Sequence, residues 1–395
     1  MKYSIPSHIR KIMDLLHTNN FKPYLVGGCV RDFIMGIIPH DYDITVCASP
    51  EEIQSLFENE GYRAEIKSTQ FGTVNVFTDK EPVEITPYRI EGEYTDSRHP
   101  GYVKFVNDIK KDLSRRDFTV NAIAMDANGV ILDIFGGTED IHNGILRCIG
   151  TPDIRFEEDA LRILRAIRFA SRLVFEIETE TLNAMDKCKY GLKKIPPERI
   201  LDELRGTICH PFSFTILNKC ESVMKCMITG FSSDAFLKEE YGDFALKFFS
   251  CIHHNTFTDV MNICDSLRLR KNETAKIREL YILYNEVLTR NGRRIILDDK
   301  LKEALCDYPS EYIRDLFVFS DSDTESLNNF LNCGVYTARQ LAFSGSDIIS
   351  CGLFDKSKTS ILLKNALKAV AVGKIKNDRE DILRYLTEYC GIISE

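Results

Sequence analysis

The order of apolar and polar positions predicts a first part with strands and helices, followed by a second part with helices alone. Apolar residues recur every three or four positions in residues 7 to 18, which is typical of an amphipathic helix. Thr73–Thr78 and Pro82–Thr86 alternate apolar and polar residues, as half-buried strands do. After Asp153 the strand signals end, and Phe156–Phe175 repeats its apolar residues at helical spacing, which predicts one helix. The pattern therefore predicts an α+β fold.

The densest local signals lie in the stretch YLVGGCVRDFIMGIIPHDYDITV. It predicts a strand (Tyr24–Val26), a turn at Gly27 and Gly28, a brief helix (Cys29–Met35) and a second strand (Tyr42–Val46). Glycine has no Cβ, so backbone N–H groups in such a turn can approach a phosphate. The N-terminus of the following helix adds partial positive charge. The turn is therefore a candidate phosphate site, although a Gly-Gly pair alone is usually only a turn.

Two aspartates open the second of these strands. Because side chains alternate along a strand, Asp41, Asp43 and Thr45 are predicted to share one face, away from the apolar residues. Two carboxylates so close repel each other unless a cation lies between them, and such oxygen ligands suit Mg²⁺. On the strand Pro82–Thr86, Glu84 points away from the apolar side chains and would complete a triad if the two strands are neighbours. Alone, each carboxylate is equally typical of a polar strand edge.

Taken together, GG-x-VRD followed by D-x-D resembles the signature of the nucleotidyltransferase superfamily related to DNA polymerase β. The branch it resembles holds class II tRNA CCA-adding enzymes and bacterial poly(A) polymerases. The resemblance implies a polymerase β-like head with a small mixed sheet, then an all-helical neck, body and tail. It also implies that Asp41, Asp43 and Glu84 hold two catalytic Mg²⁺ ions. The implied members of the triphosphate-binding turn are Gly27, Gly28, Arg31 and Asp32.

The four expected regions follow from this resemblance and from the helical pattern. Their expected boundaries are 1–150 for the catalytic head, 151–209 for the nucleotide-selecting neck, 210–320 for the body and 321–395 for a tRNA-binding tail.

A second motif, LSRRDFTVNAIAMD, resembles the RRDFTINA segment of the family. Arg115 and Arg116 are permanently charged forks that suit phosphate oxygens. Asp117 and Asn121 lie four residues apart, on one side of a helical turn, and could hydrogen-bond ribose hydroxyls. Two arginines alone would be typical of a solvated patch, but the whole segment favours nucleotide binding through Arg116, Asp117 and Asn121.

A third motif, ED-x-x-R followed by LRAIRFA, resembles the nucleotide-selecting motif of the family. An aspartate accepts hydrogen bonds and an arginine donates them. Asp159 could accept from the amino group that cytosine and adenine share, while Arg162 donates to the adjacent ring nitrogen. Guanine and uracil present the opposite order, and two unpaired buried groups would reject them by roughly a hundredfold or more. Arg165 and Arg168 extend the polar arc and are expected to bind nucleotide, although Asp–Arg pairing on an exposed face is the alternative.

Three further segments have a place in this hypothesis. Residues 89 to 106 are polar and turn-rich, and the resemblance implies a flexible loop needed to add the terminal A. Glu198 and Arg199 resemble the ERI-x-x-EL motif, where they are expected to act as structural supports. The tail is expected to meet the tRNA elbow through lysines, while the acceptor end enters the head. The tail lysines are Lys356, Lys358, Lys364, Lys368, Lys374 and Lys376.

Composition narrows the picture without changing it. At 395 residues the chain should hold more than one folding unit, and it has no apolar run long enough to cross a membrane. Its 13 cysteines include no C-x-x-C pair, which favours free thiols in a reducing cytoplasm. The formal net charge of −8 means that a nucleic acid would have to meet a local basic surface.

The function that the sequence favours is template-independent addition of C, C and A to the tRNA 3′ end, from CTP and ATP, with release of pyrophosphate. An A-adding enzyme or a bacterial poly(A) polymerase is the alternative among enzymes, although the basic G-[RK]-[RK]-F segment of the latter is absent. A catalytically inactive RNA-binding relative is the alternative outside them. No feature of the sequence indicates an oligomeric state.

Overall fold

The computed structural model divides the chain into two compact units. Unit 1 comprises residues 1–240 and 266–268, and unit 2 comprises residues 241–265 and 269–395. The residues that the structure describes are 5–68, 71–92, 102–210, 212–234, 242–291 and 295–391. The expected division into head, neck, body and tail is finer than these two units and stays a prediction.

Unit 1 is built on a mixed β-sheet. The strands of the described part are β1 (Tyr24–Val26), β2 (Asp43–Val46), β3 (Arg63–Ser68), β4 (Thr73–Phe77), β5 (Pro82–Pro87), β6 (Arg89–Glu91), β7 (Val103–Phe105), β8 (Ile123–Met125), β9 (Ile131–Asp133), β10 (Ile145–Leu146) and β11 (Glu176–Ile177). Seven of these described strands form the main sheet in the order β3-β4-β5-β2-β1-β8-β9. Only β2 and β5 in it run parallel. Their register places Asp43 beside Glu84, so the two strands are neighbours, as the sequence analysis required.

Helices cover the sheet and complete unit 1. They are α1 (Ser7–Thr18), α2 (Gly28–Ile34), α3 (Pro50–Asn59), α4 (Ile109–Ser114), α5 (Gly137–Asn143), α6 (Pro152–Glu158), α7 (Leu161–Leu173), α8 (Thr179–Cys188), α9 (Pro197–Ile208), α10 (Ser213–Lys219) and α11 (Glu221–Met227). Ser49 and Glu52, three residues apart, predict a capping box at the start of α3, and the structure has it, with the Ser49 side chain accepting from the Glu52 N–H. A small hairpin of β6 and β7 frames the expected A-addition loop, whose residues 93–101 lie outside the described residues.

The prediction of a single helix over Phe156–Phe175 is wrong, because the structure has two helices there. Helix α6 ends at Glu158, Asp159 is extended with φ −144° and ψ 100°, and α7 begins at Leu161. The Asp159 Oδ1 atom accepts the Leu161 N–H at 3.0 Å, so the side chain satisfies a donor that a continuous helix would pair with a carbonyl. The break moves Asp159 out of the helical arc on which the periodicity placed it.

Unit 2 is helical. Its helices are α12 (Phe244–Ile252), α13 (Phe257–Ser266), α14 (Lys271–Asn291), α15 (Asp299–Leu305), α16 (Ser310–Phe319), α17 (Thr324–Cys333), α18 (Gly345–Ser350), α19 (Thr359–Ala371) and α20 (Arg379–Tyr389). Phe343, Ile348, Leu362 and Leu386 belong to one of its apolar cores. A sheet-containing first unit and a helical second unit confirm the α+β fold. Among the described helices, none is both long and apolar enough to cross a lipid bilayer.

Candidate active site

One cavity of unit 1 gathers both predicted aspartates and every residue predicted to bind nucleotide. Its volume is about 510 Å³, within the range of roughly 300–1,000 Å³ that is common for small-ligand sites. The predicted residues that line it are Gly27, Gly28, Arg31, Asp32, Asp41, Asp43, Arg116, Asp117, Asn121, Asp159, Arg162, Arg165 and Arg168. Arg115, which the sequence analysis named as suited to phosphate, also lines it, as do five residues that were not placed in a nucleotide site: Cys29, His40, Phe169, Arg172 and Arg199.

The turn between β1 and α2 requires glycine at its first position. Gly27 has φ +76° and ψ −133°, a backbone conformation that residues other than glycine rarely adopt. A Cβ on Gly27 would lie 3.0 Å from Nη1 of Arg116 and 3.9 Å from a carboxylate oxygen of Asp43. The missing side chain therefore leaves room for the Arg116 guanidinium against the turn.

Arg116 is only partly held by the protein. Its Nη1 donates to the Asn121 carbonyl and its Nη2 to Asp112, each at a long 3.5 Å. Its buried Nε has no hydrogen-bond partner among the described residues. A guanidinium that the protein holds only by long hydrogen bonds beside a glycine turn is suited to an anionic ligand such as a phosphate.

The two aspartates line this cavity, whereas the predicted third carboxylate, Glu84, does not. Partial burial raises the pKa of Asp43; the Arg116 charge opposes this, and repulsion by Glu84 and Asp41 raises it further. Glu84 lines a neighbouring cavity of about 520 Å³ that it shares with Asp41 and Asp43, and it forms an ion pair with Lys67. Within the part of the chain described, no group of three His, Cys, Asp or Glu is close enough to hold a metal ion. Asp41 and Asp43 offer carboxylate oxygens of the kind that Mg²⁺ prefers, whereas Glu84 is engaged by a lysine.

A buried hydrogen-bond chain links the glycine turn to α7. Arg31 donates to Oδ1 of Asn121 at 2.7 Å, and Nδ2 of Asn121 donates to Oδ1 of Asp117 at 3.3 Å. Arg165 donates from Nε to Oδ2 of Asp117 at 2.8 Å. Arg31 also donates to Asp32, at 2.7 Å from Nη2. Both oxygens of Asp117 thus have protein partners, so a ribose hydroxyl would share them rather than find a free carboxylate.

The electrostatics of this chain favour an ionised Asp117. Burial alone would raise the pKa of this carboxyl, but the Arg165 charge and hydrogen bonds from Arg165, Asn121 and the Phe118 N–H outweigh burial and lower it. The chain is therefore a charged support that joins the two helices beside the cavity.

The predicted base-reading residues lie at the break between α6 and α7. Arg162 donates from Nη1 to Oε2 of Glu158 at 2.8 Å and to the Arg155 carbonyl at 3.1 Å. Asp159 keeps Oδ2 towards Arg199, whose Nη2 lies 3.6 Å away. The structure thus brings both residues to one cavity and gives Arg162 a different carboxylate partner from Asp159.

Phe169 is a cavity residue that the sequence analysis missed. The guanidinium carbons of Arg168, Arg165 and Arg31 lie 5.1, 5.3 and 5.8 Å from its ring centroid, within the reach of cation–π attraction. Arg168 also forms an ion pair with the buried Glu203 at 2.9 Å. The available signal was position, since Phe169 lies four residues after Arg165 on the polar arc of α7.

Two family models match this chain. Residues 23–147 match the model described as the poly A polymerase head domain. Residues 174–219 match the model described as the probable RNA and SrmB-binding site of polymerase A.

Curated relatives agree with these matches. A CCA-adding enzyme of Ligilactobacillus salivarius is 29% identical over 413 residues, covering 96% of this chain and 96% of that protein. A CCA-adding enzyme of Staphylococcus epidermidis is 43% identical over 208 residues, which is 53% of this chain and 51% of that enzyme. That second alignment therefore spans about half of each protein.

Solved structures share the fold over nearly the whole length. The Bacillus stearothermophilus CCA-adding enzyme in complex with CTP has a TM-score of 0.74 and 25% identity, and 97% of each chain is covered. The Thermotoga maritima CCA-adding enzyme complexed with tRNA has a TM-score of 0.76 at 22% identity, covering 98% of this chain and 96% of that one.

The sheet, the glycine turn and the paired aspartates define a nucleotidyltransferase of the DNA polymerase β superfamily. Residues 23–147 therefore belong to the family of poly A polymerase head domains, and the chain is similar to CCA-adding enzymes along nearly its whole length.

Proposed function

We propose that this chain adds C, C and A to the 3′ end of tRNA without a template, using CTP and ATP and releasing pyrophosphate. The observation that carries the proposal is the single cavity that joins Asp41 and Asp43 to the glycine turn and to Asp159 and Arg162. The likeness to CCA-adding enzymes along nearly the whole chain supports this substrate choice.

Asp41 and Asp43 are the residues that would hold the divalent metal on which this family depends. We propose two Mg²⁺ ions, with Glu84 as a further ligand once it exchanges Lys67 for a metal. Such ions, when bound, neutralise charge on the triphosphate and lower the pKa of the attacking hydroxyl. The protein's own part is to hold the reacting groups in line, which dominates this type of transfer.

The remaining cavity residues divide between phosphate, sugar and base. Arg116 has unmatched donors for the triphosphate next to the turn at Gly27. Asn121 and Asp117 support the ribose through the buried hydrogen-bond chain. Asp159 and Arg162 read the base edge.

The tail lysines are a less uniform tRNA surface than the sequence suggested. Lys364 and Lys368 both form ion pairs with Asp307, at 2.7 Å each, so this one carboxylate offsets half of their combined charge within unit 2. Lys356, Lys358, Lys374 and Lys376 are exposed and remain our candidates for the tRNA elbow. All 13 cysteines are free thiols, which supports a reducing cytoplasmic location.

A direct assay separates the alternatives. Purified protein is given Mg²⁺, tRNA that lacks its CCA end, and labelled CTP or ATP, alone and together. We expect CTP to add two residues and ATP to add one only after them. No incorporation of CTP, together with addition of one A to tRNA that already ends in CC, would instead indicate an A-adding enzyme, and long A tracts would indicate a poly(A) polymerase. No incorporation of either nucleotide would indicate an inactive RNA-binding relative.

A further inference from the structure

Arg199, which the sequence analysis expected to be a structural support, lines the cavity itself. It lies in the first turn of α9, which packs against α7, and it lines the same cavity as Asp159 and Arg162. Its Nη2 lies 3.6 Å from Oδ2 of Asp159. Its Nη1 is buried and has no hydrogen-bond partner among the residues described.

The two oxygens of Asp159 have different surroundings. Oδ1 accepts the Leu161 N–H at 3.0 Å, and this bond belongs to the break between α6 and α7. Oδ2 is therefore the oxygen left for an amino group of a nucleobase. Oδ2 forms its ion pair with Arg199.

The distance between Arg199 and Oδ2 of Asp159 lets the arginine orient the carboxylate without competing with a nucleobase for its lone pairs. At 3.6 Å the nitrogen lies beyond the 2.7–3.2 Å range of N–H···O hydrogen bonds, so the carboxylate is attracted without its lone pairs being fully occupied. The buried Nη1 makes no hydrogen bond to a described residue, so no second acceptor draws the guanidinium away from Oδ2.

We propose that Arg199 is a specificity-determining positioning residue, which holds Oδ2 of Asp159 in the orientation that accepts the exocyclic amino group of cytosine or adenine. The proposal rests on the function proposed above and adds a residue to its base selection. Because both accepted bases present an amino group there, loss of Arg199 should affect CTP and ATP alike. Without Arg199 the carboxylate is held through Oδ1 alone, and an Oδ2 that is oriented less firmly rejects the uracil carbonyl less well.

The test is steady-state nucleotide incorporation by three variants. In Arg199→Gln we expect KM for CTP and for ATP to rise more than kcat falls. The ratio of kcat/KM for CTP to that for UTP should fall by about tenfold. This corresponds to weakening the one charge-assisted hydrogen bond between Asp159 and the exocyclic amino group. Arg199→Lys keeps the charge and should recover much of the ratio. Arg268→Gln is the matched control, since it removes an exposed arginine that pairs with the neighbouring Glu198, and should keep the wild-type ratio.

The outcomes separate this proposal from the proposed function. A wild-type CTP:UTP ratio in Arg199→Gln, with only a lower melting temperature or a uniform loss of kcat, would show a structural role and overturn it. If the wild-type protein incorporates no CTP, the proposed function fails. Equilibrium binding of CTP and UTP to wild type and Arg199→Gln then decides the role of Arg199, because selective binding lost in the variant supports it and equal loss for both nucleotides contradicts it.

Discussion

The tightest constraint in the cavity falls on Gly27. Its backbone has φ +76°, and the Arg116 guanidinium lies where a side chain would begin. Gly61 has a similar φ of +82° but nothing within 4 Å of its would-be Cβ. The two glycines therefore share a backbone conformation and differ in whether a cavity arginine is next to them.

Replacing Gly27 by Ala should lower stability as much as replacing Gly61 by Ala, but should lower activity more. Both Gly27→Ala and Gly61→Ala should destabilise the protein by about 1–3 kcal/mol, because each forces an L-residue into a strained backbone. Only Gly27→Ala also displaces Arg116, so its kcat/KM for CTP should fall well below that of Gly61→Ala. Thermal unfolding and nucleotide incorporation measure the two effects. Equal kcat/KM values in both variants would mean that Arg116 needs no support from the turn.

Site residues could be predicted where they belong to a sequence motif. They were missed where their role depends on a contact between distant parts of the chain. Asp41, Asp43 and Arg116 carry local signals, and the structure brings them to one cavity. The pairing of Glu84 with Lys67 was not foreseen, because it depends on the side chains of adjacent strands. Arg199 was assigned to support because its partner, Asp159, lies 40 positions earlier in the chain.

Two helices of unit 1, α2 and α7, are joined by the hydrogen-bond chain through Asn121 and Asp117. The salt bridge of Arg165 with Asp117 ends this chain. Its carboxylate side is buried, with 9% of the side chain exposed, while 35% of the arginine side chain is exposed.

Arg165→Met should therefore destabilise the protein by about 2 kcal/mol at pH 7, less than a fully buried pair because the arginine is partly solvated. The lowered pKa of Asp117 sets the pH dependence. The ionised Asp117 carboxylate stabilises the fold fully above the pKa of about 3.9 that it has in the unfolded chain. This stabilisation is lost as the pH falls through the lower pKa that Asp117 has in the native protein. Urea denaturation should thus show a smaller difference from wild type at pH 3.

The exposed pair of Arg63 with Glu65 provides the control for this prediction. Both side chains are more than half exposed, so Arg63→Met should change stability by only about 0.5 kcal/mol at either pH. An equal effect of Arg63→Met and Arg165→Met would contradict a special role for the chain between α2 and α7.

Elements with their own local signal were predictable, and those set by one side chain were not. Helix α3 begins as predicted because Ser49, Pro50 and Glu52 are a capping box with proline at the first helical position. The break before α7 escaped prediction because the apolar period continues across it. The Asp159 side chain, which the period ignores, ends one helix and starts the next.

For the molecule as a whole, the sequence predicted the α+β class because alternation and helical period occupy different parts of the chain. The strand order could not be predicted in the same way, since the parallel pairing of β2 with β5 joins segments about 40 residues apart. The same limit applies to the tail, where the ion pairs of Lys364 and Lys368 with Asp307 depend on packing between helices.

The account depends on Asp41 and Asp43 acting together in nucleotidyl transfer, and Asp43→Ala tests it most directly. The measurement is the rate of CMP and AMP incorporation into tRNA at saturating Mg²⁺, with circular dichroism as the check on folding. We predict a loss on the order of a thousandfold or more in a folded protein, since several kcal/mol of charge stabilisation disappear. Turnover near that of wild type in the folded variant would contradict the account.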